Sequence, residues 1–306
     1  MRKKLVCCYG TRPEFIKITP LVLELKRQRK VKPILVCSGQ HRELLMGLDK
    51  TFGVFNDHDL NVRNHIGETS DLSILFSFMQ NAFYKKLNEL VSDAILIQGD
   101  TASAFAAAIA AFHLKIPIFY LEAGLRTCDL ENPYPEEGYR QMVSRLANIY
   151  FVPTGLNKEN LIRENVDENK IFVTGNTAVD ALELMKKKIF NRNIEKMISG
   201  KRSFKIVLVE VHRRENWGKP MENIFEAIKR LHGENQDYLF IFPVHPNKEI
   251  QSRAKMILGD LKRVRLIQPL NYLELLTVLS KSSLVISDSG GLQEEAPSFG
   301  VPVLVT

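Results

Sequence analysis

Three acidic positions stand where short apolar runs give way to polar turns. Asp100 follows "AILI" within "QGDT", and Glu122 follows "IPIFY" within "LEAGLRT". Glu136 and Glu137 sit in the Pro-rich "NPYPEEGYR", just before a helix. An aspartate at the turn into an Ala-rich helix can serve simply as its N-cap, and paired acids at a helix start complement its dipole. Carboxylates delivered by several strand ends to one rim exceed what a phosphate site needs, because they repel phosphate; they suit proton transfer.

Other motifs carry the opposite charge or none. "GTRPE", residues 10–14, joins the first apolar run to a helix. Gly10 allows a tight turn, Pro13 suits the first helical position, and the outward amides suit a phosphate. Arg12 and Lys17 would add positive charge there, or form surface salt bridges. "VEVHRREN" ends the run "KIVLV" with His212 and Arg213, and "VHPN" ends "YLFIF" with His245. After "SLVI", Ser289, Gly290 and Gly291 open a helix whose amides can hold a diphosphate, with Glu295 one turn in, able to accept from two ribose hydroxyls. No GxGxxG is present, which argues against a nicotinamide cofactor, and no His/Cys/Asp cluster suggests a catalytic metal.

Apart from "NPYPEEGYR", each of these motifs follows an apolar run, which marks the runs as strands and the motifs as their C-terminal turns. Apolar stretches alternate with helical ones along both halves: "KLVCCY" precedes a helix from about Pro13 to Gln28, "KPILVCSG" precedes "QHRELLMGLDKTF", and "DLSILFSFMQNAFYKKLNELV" reads as a long amphipathic helix. Such alternation predicts parallel sheets covered on both faces, α/β in class, as two Rossmann-like domains facing across a cleft. Ligands in such sheets lie beyond the carboxyl ends of the strands. Residues 1–180 are expected to form the first domain and 181–306 the second, joined through residues 181–204.

The chain has 306 residues, 45% of them hydrophobic and 25% charged, with a net charge of +7. That profile is globular, and the excess of positive charge favours anionic partners. Basic residues are dispersed, so phosphorylated metabolites fit better than nucleic acid. Among the four cysteines, Cys7, Cys8, Cys37 and Cys128, no pair has zinc spacing and no disulfide framework is implied. A reduced, cytoplasmic location is expected. No segment approaches the roughly 20 apolar residues of a membrane span.

Taken in order, "GTRPE", "GDT", "EAGLRT", "PEE", "HRREN", "VHPN" and "DSGGLQEEAPSFG" resemble the non-hydrolysing UDP-N-acetylglucosamine 2-epimerases, from the first strand to the last residue. The resemblance implies the GT-B fold and interconversion of UDP-GlcNAc and UDP-ManNAc, a precursor of cell-surface polysaccharides. UDP is eliminated as the C2 proton is removed, and is added back with a proton on the other face. By the same resemblance Asp100, Glu122, Glu136 and His212 are the catalytic set, and Glu137 should matter less. Arg12 and Lys17 lie on the diphosphate side, and Ser289, Gly290, Gly291 and Glu295 bind UDP. Gln40, Glu43, Arg213 and His245 fall where an activating second UDP-GlcNAc binds; a surface helix is the plainer reading of the "GQHREL" residues. No cofactor or metal is implied, and a homodimer is.

Two departures from the family pattern stand out. Glu210 and Val211 precede His212 where the family has a threonine and a small residue. The family also continues beyond "GVPVLVT" into further helices, so a truncated chain with a less well-defined cleft and poor turnover is expected. Three alternatives remain at this point: a GT-B glycosyltransferase, a hydrolysing epimerase releasing free ManNAc, and an inactive nucleotide-sugar-binding remnant.

Overall fold

Strands form where β-branched and aromatic residues run together, and helices where apolar residues recur every three or four positions. In the computed structural model the described residues are 2–41, 45, 47–67, 69, 71–198, 204–211, 213 and 216–306. They divide into two compact units, Met1–Ala181 and Leu182–Thr306. No described helix is long and apolar enough to cross a membrane.

The first unit runs β1 (Lys3–Tyr9), α1 (Arg12–Gln28), β2 (Val31–Cys37), α2 (Leu48–Phe52), β3 (His58–Asp59), α3 (Val62–Ile66) and α4 (Leu72–Leu90). It continues through β4 (Ala94–Gln98), α5 (Ala102–His113), β5 (Ile118–Leu121), α6 (Glu136–Leu146), β6 (Ile149–Val152), α7 (Gly155–Arg163) and β7 (Ile171–Val173) into α8 (Thr177–Met185). Its seven strands are all parallel, in the order β3-β2-β1-β4-β5-β6-β7.

The second unit runs α9 (Arg192–Ile198), β8 (Lys205–Glu210), α10 (Lys219–Glu234), β9 (Tyr238–Pro243), α11 (Lys248–Leu258), β10 (Val264–Ile267), α12 (Tyr272–Leu279), β11 (Ser282–Ser287), α13 (Gly290–Glu295) and β12 (Val303–Val305). Five parallel strands take the order β10-β9-β8-β11-β12. In each unit the strand order runs outward in one direction from the first strand and then reverses, which is the Rossmann arrangement. The reversal puts a topological switch point between β1 and β4, and another between β8 and β11.

Close packing explains the unusual composition of α5. Ala104, Ala106, Ala107, Ala108, Ala110 and Ala111 are wholly buried, and the small side chains let the helix lie against the sheet and beside Met79 and Phe83 of α4. Val6 and Cys8 of β1 join that cluster, while Cys7 is buried outside it, as strand alternation requires. In the second unit Val207, Val209, Phe240 and Phe242 meet Phe225, Ile228 and Ala254 of the covering helices.

Several local expectations are refined. Glu136 and Glu137 are the first two residues of α6 rather than loop residues before it. The helix opened by Gly290 is only six residues long and continues as a 3-10 turn over Ala296–Phe299. Residues 181–198 form α8, a 3-10 turn and α9, so the connecting stretch is helical where described.

Candidate active site

At the first switch point, β1 hands over to α1 through Gly10 and Thr11, and β4 hands over to α5 through Gly99, Asp100 and Thr101. Gly10 has no room for a side chain: a Cβ there would lie 2.0 Å from Ser103 Oγ and 2.1 Å from Ser38 Oγ. Those two hydroxyls bond each other at 2.7 Å. Thr101, not Asp100, caps α5, its Oγ1 accepting from Ala104 N at 3.0 Å. The capping reading of Asp100 therefore falls away. Its Oδ2 instead accepts from Arg140 Nε at 2.7 Å and forms an ion pair with Arg140 Nη2 at 2.6 Å.

Glu122 follows β5 with φ of 64°, a left-handed backbone that a side chain other than glycine's adopts at a cost of roughly 1–3 kcal/mol. Lys17 Nζ donates to both of its carboxylate oxygens, at 2.9 and 2.7 Å, and Gln98 Nε2 donates to Oε2. The pair is largely buried. Lys17 is thus drawn to a carboxylate, although its expected place is beside a diphosphate. Arg12, half-buried, opens α1.

Glu136 is half-buried at the start of α6, close enough for its charge to raise the phenol of Tyr139, after burial the next influences being Tyr134 and Glu136. Its neighbour Glu137 departs from expectation. That side chain is fully buried and accepts from Thr127 N (3.1 Å), Cys128 N (3.2 Å), Gln141 Nε2 (3.0 Å) and Arg140 Nη1 (3.2 Å). Burial pushes its carboxyl up, but the bonds from Gln141, Thr127, Arg140 and Cys128 outweigh it and hold the group below the ordinary glutamate value. Glu137 anchors the arginine that holds Asp100, so it is no neutral control for Glu136.

Sequence patterns missed two further acids. Glu14 lies inside "GTRPE", three residues after the helix-capping Thr11, and is completely buried. The capping-box spacing was the available signal. At the second switch point the acid is Asp288, 2% exposed, whose Oδ2 accepts from Arg213 N at 3.0 Å and Asn216 Nδ2 at 2.9 Å. It ties the turn after β8 to the turn after β11. Ser287 Oγ adds a second tie, donating to Glu210 O at 2.7 Å and accepting from Ser289 N at 2.9 Å. Arg213 brings its guanidinium within 3.9 Å of where a Gly290 Cβ would lie, so Arg213 and the Ser289–Gly291 turn are neighbours. Glu295 is buried and accepts from Tyr272 Oη at 3.3 Å.

His212 and Glu43 lie outside the described residues. Val211, one of the two residues that depart from the family pattern, is buried in the β8 core, and Glu210 is half-buried beside Ser287. His245 follows β9; Asn247 N donates to its Nδ1 at 3.2 Å, which assigns the ring proton of the neutral form to Nε2. Its ring lies 5.6 Å from that of Trp217. Gln40 sits in the turn after β2, and its Oε1 accepts from Ser103 Oγ at 2.7 Å and Ser103 N at 3.2 Å.

Residues 23–306 match the family model described as UDP-N-acetylglucosamine 2-epimerase. The chain is also 40% identical over 302 residues to the UDP-N-acetylglucosamine 2-epimerase of Bacillus subtilis, covering 99% of this chain and 78% of that protein. The chain belongs to the UDP-N-acetylglucosamine 2-epimerase family. Solved structures of other epimerases agree. The Neisseria meningitidis UDP-GlcNAc 2-epimerase bound to UDP-GlcNAc superposes with a TM-score of 0.90 at 36% identity, over 99% of this chain and 82% of that one. The S. aureus MnaA–UDP structure gives 0.91 at 39% identity, over 100% and 79%. The epimerase fold class is the expected one, two Rossmann-like units of the GT-B kind.

Proposed function

We propose that the chain is a non-hydrolysing UDP-GlcNAc 2-epimerase acting by elimination and re-addition of UDP. The observation that carries this reading is that Asp100 and Glu122, at the turns after adjacent parallel strands, are held by the basic side chains of Arg140 and Lys17 respectively. Epimerisation at C2 needs a base on one face and an acid on the other, and oriented carboxylates can serve both ends of that exchange.

In the forward direction one carboxylate takes the C2 proton while the C1–O bond breaks and its electron pair leaves with UDP. The C1–C2 double bond that forms is then protonated on the opposite face of C2, and a UDP oxygen re-forms the bond to C1. Nothing is oxidised or reduced, so the reaction asks for no redox partner. Positive character at C1 runs ahead of proton loss, and Glu136 at the start of α6 adds negative charge that stabilises it. His212 and Arg12 serve the leaving diphosphate, and Lys17 orients Glu122. Ser289, Gly290, Gly291 and Glu295 bind the uridine diphosphate, the carboxylate taking ribose hydroxyls. Gln40, Glu43, Arg213 and His245 form the set for a second, activating UDP-GlcNAc.

Exposed Ile74 and Phe78, one helical turn apart on α4, support a homodimer built on that face. The cysteines Cys7, Cys8, Cys37 and Cys128 are all free, which supports a cytoplasmic location.

The test is turnover of UDP-GlcNAc in D2O followed by NMR and mass spectrometry. UDP-ManNAc carrying deuterium at C2 is expected. Product without solvent deuterium would exclude elimination, and free ManNAc with UDP would make the enzyme a hydrolase. Light scattering of the purified protein tests the dimer.

A further inference from the structure

Glu14 takes no part in the chemistry assigned above. A glutamate three residues after a capping threonine is an ordinary capping-box residue, and one of its oxygens does that work. Oε2 accepts from Gly10 N at 3.0 Å, Thr11 N at 2.8 Å and Thr11 Oγ1 at 2.7 Å. The other oxygen leaves the helix: Oε1 accepts from Thr101 Oγ1 at 2.6 Å. Gly10 and Thr11 follow β1, and Thr101 follows β4, so this single carboxylate spans the switch point of the first sheet. The chain neighbours of its partners are Arg12 and Asp100.

We propose that Glu14 is a positioning residue of the epimerisation, clamping the turn that carries Arg12 to the turn that carries Asp100. The proposal rests on the function read above. Without the clamp, Asp100 would lose its fixed relation to the α1 turn. Asp288 makes the corresponding tie at the second switch point, through Arg213 N and Asn216 Nδ2.

The clamp is a costly group to keep. Burial pushes the Glu14 carboxyl up to about 7, against the bonds from Thr101, Thr11 and Gly10 that favour its charged form. The ionisable groups packed nearby are the thiols of Cys8 on β1 and Cys37 on β2, both pushed upward by burial. Arg12 and Lys17 lie on its own helix, and Asp100 precedes Thr101. Its partners in bonding are four neutral donors rather than a cation.

The test compares the wild type with Glu14→Gln, Thr101→Val and Thr101→Ser. Glutamine keeps the shape but cannot accept at both ends; valine removes the far hydroxyl, and serine keeps it. Expected are a fall in kcat of about 10- to 100-fold for Glu14→Gln and Thr101→Val, with KM nearly unchanged, and near-wild-type turnover for Thr101→Ser. Melting curves against pH supply a second readout. A carboxyl raised from 4.5 to about 7 holds its proton longer in the folded state, so the wild type loses stability as pH rises through that interval and levels off above it. Glu14→Gln should lack this loss, which would show that its slow turnover is not unfolding. If Glu14→Gln does not fold, the Thr101 pair decides: serine falling as far as valine overturns the clamp. Wild-type turnover matched by Glu14→Gln and Thr101→Val overturns the clamp alone, whereas a wild type without turnover overturns the functional reading and the clamp with it.

Discussion

Arg140 holds Asp100 by one oxygen. Its Nε donates to Oδ2 at 2.7 Å and its Nη2 lies 2.6 Å from the same oxygen in an ion pair, while Oδ1 takes no hydrogen bond from any described residue. For a group that must gain and lose a proton the division is useful: one oxygen fixes the orientation and the other keeps its lone pairs open. Lysine has a single ammonium and cannot reproduce a planar two-nitrogen grip. Arg140→Lys should lower kcat about tenfold through misplacement of the carboxylate, while UDP affinity measured by calorimetry stays the same. A lysine variant turning over at the wild-type rate would remove Arg140 from the account.

Glu137 should matter for stability more than the sequence suggests. Its folded carboxyl titrates below the ordinary value, so its contribution is present above the unfolded value of 4.5 and is lost as pH falls through the lower folded one. Glu137→Gln should be less stable than wild type near neutral pH, with the difference narrowing in acid. Thermal melts over that range check this, and equal stability at neutral pH would contradict the network described for Arg140, Gln141 and the Thr127–Cys128 amides.

Gly10→Ala brings a methyl carbon to 2.1 Å from Ser38 Oγ and 2.0 Å from Ser103 Oγ, far inside the 3.4–4 Å of ordinary contact. Overpacking of this kind costs about 1–3 kcal/mol. A denaturation midpoint lowered accordingly is the expected result, together with slower turnover because the displaced turn carries Arg12. An unchanged midpoint would mean that the turn can shift freely.

Thiol reactivity should single out one cysteine. Burial pushes Cys7 and Cys37 up to about 12 and Cys8 well above its ordinary value, and all three are enclosed, whereas Cys128 is exposed. Reagents that need a thiolate should therefore modify only Cys128 in the native protein, and all four residues after denaturation. Mass spectrometry of the alkylated protein reads this directly; fast native labelling of Cys7 or Cys37 would place the first strands differently.

Much of this protein was legible in its sequence because local patterns carry local structure. Alternation of apolar runs with 3.6-residue periodicity requires parallel sheets with covering helices, and it places every motif except the Glu136–Glu137 pair just after a strand's C-terminal end. That is why "QGDT", "LEAG" and "SDSGG" are all found at such turns. The seven-stranded and five-stranded orders, and with them the two switch points, come only from the assembled sheets, since alternation is the same for many strand orders.

Pairings between charged groups lay beyond local pattern altogether. Lys17 and Glu122 are 105 positions apart, Glu14 and Thr101 are 87, and Asp288 and Arg213 are 75. Sequence showed the right residue types at strand ends; it did not show that Lys17 faces a carboxylate, that Glu137 is enclosed while Glu136 is not, or that Thr101 rather than Asp100 caps α5. Which donor meets which acceptor depends on which strands lie side by side and how far each helix start is set above its sheet. Those distances are decided by packing the whole core at once, where a shift of one ångström makes or breaks a hydrogen bond that no sequence spacing encodes.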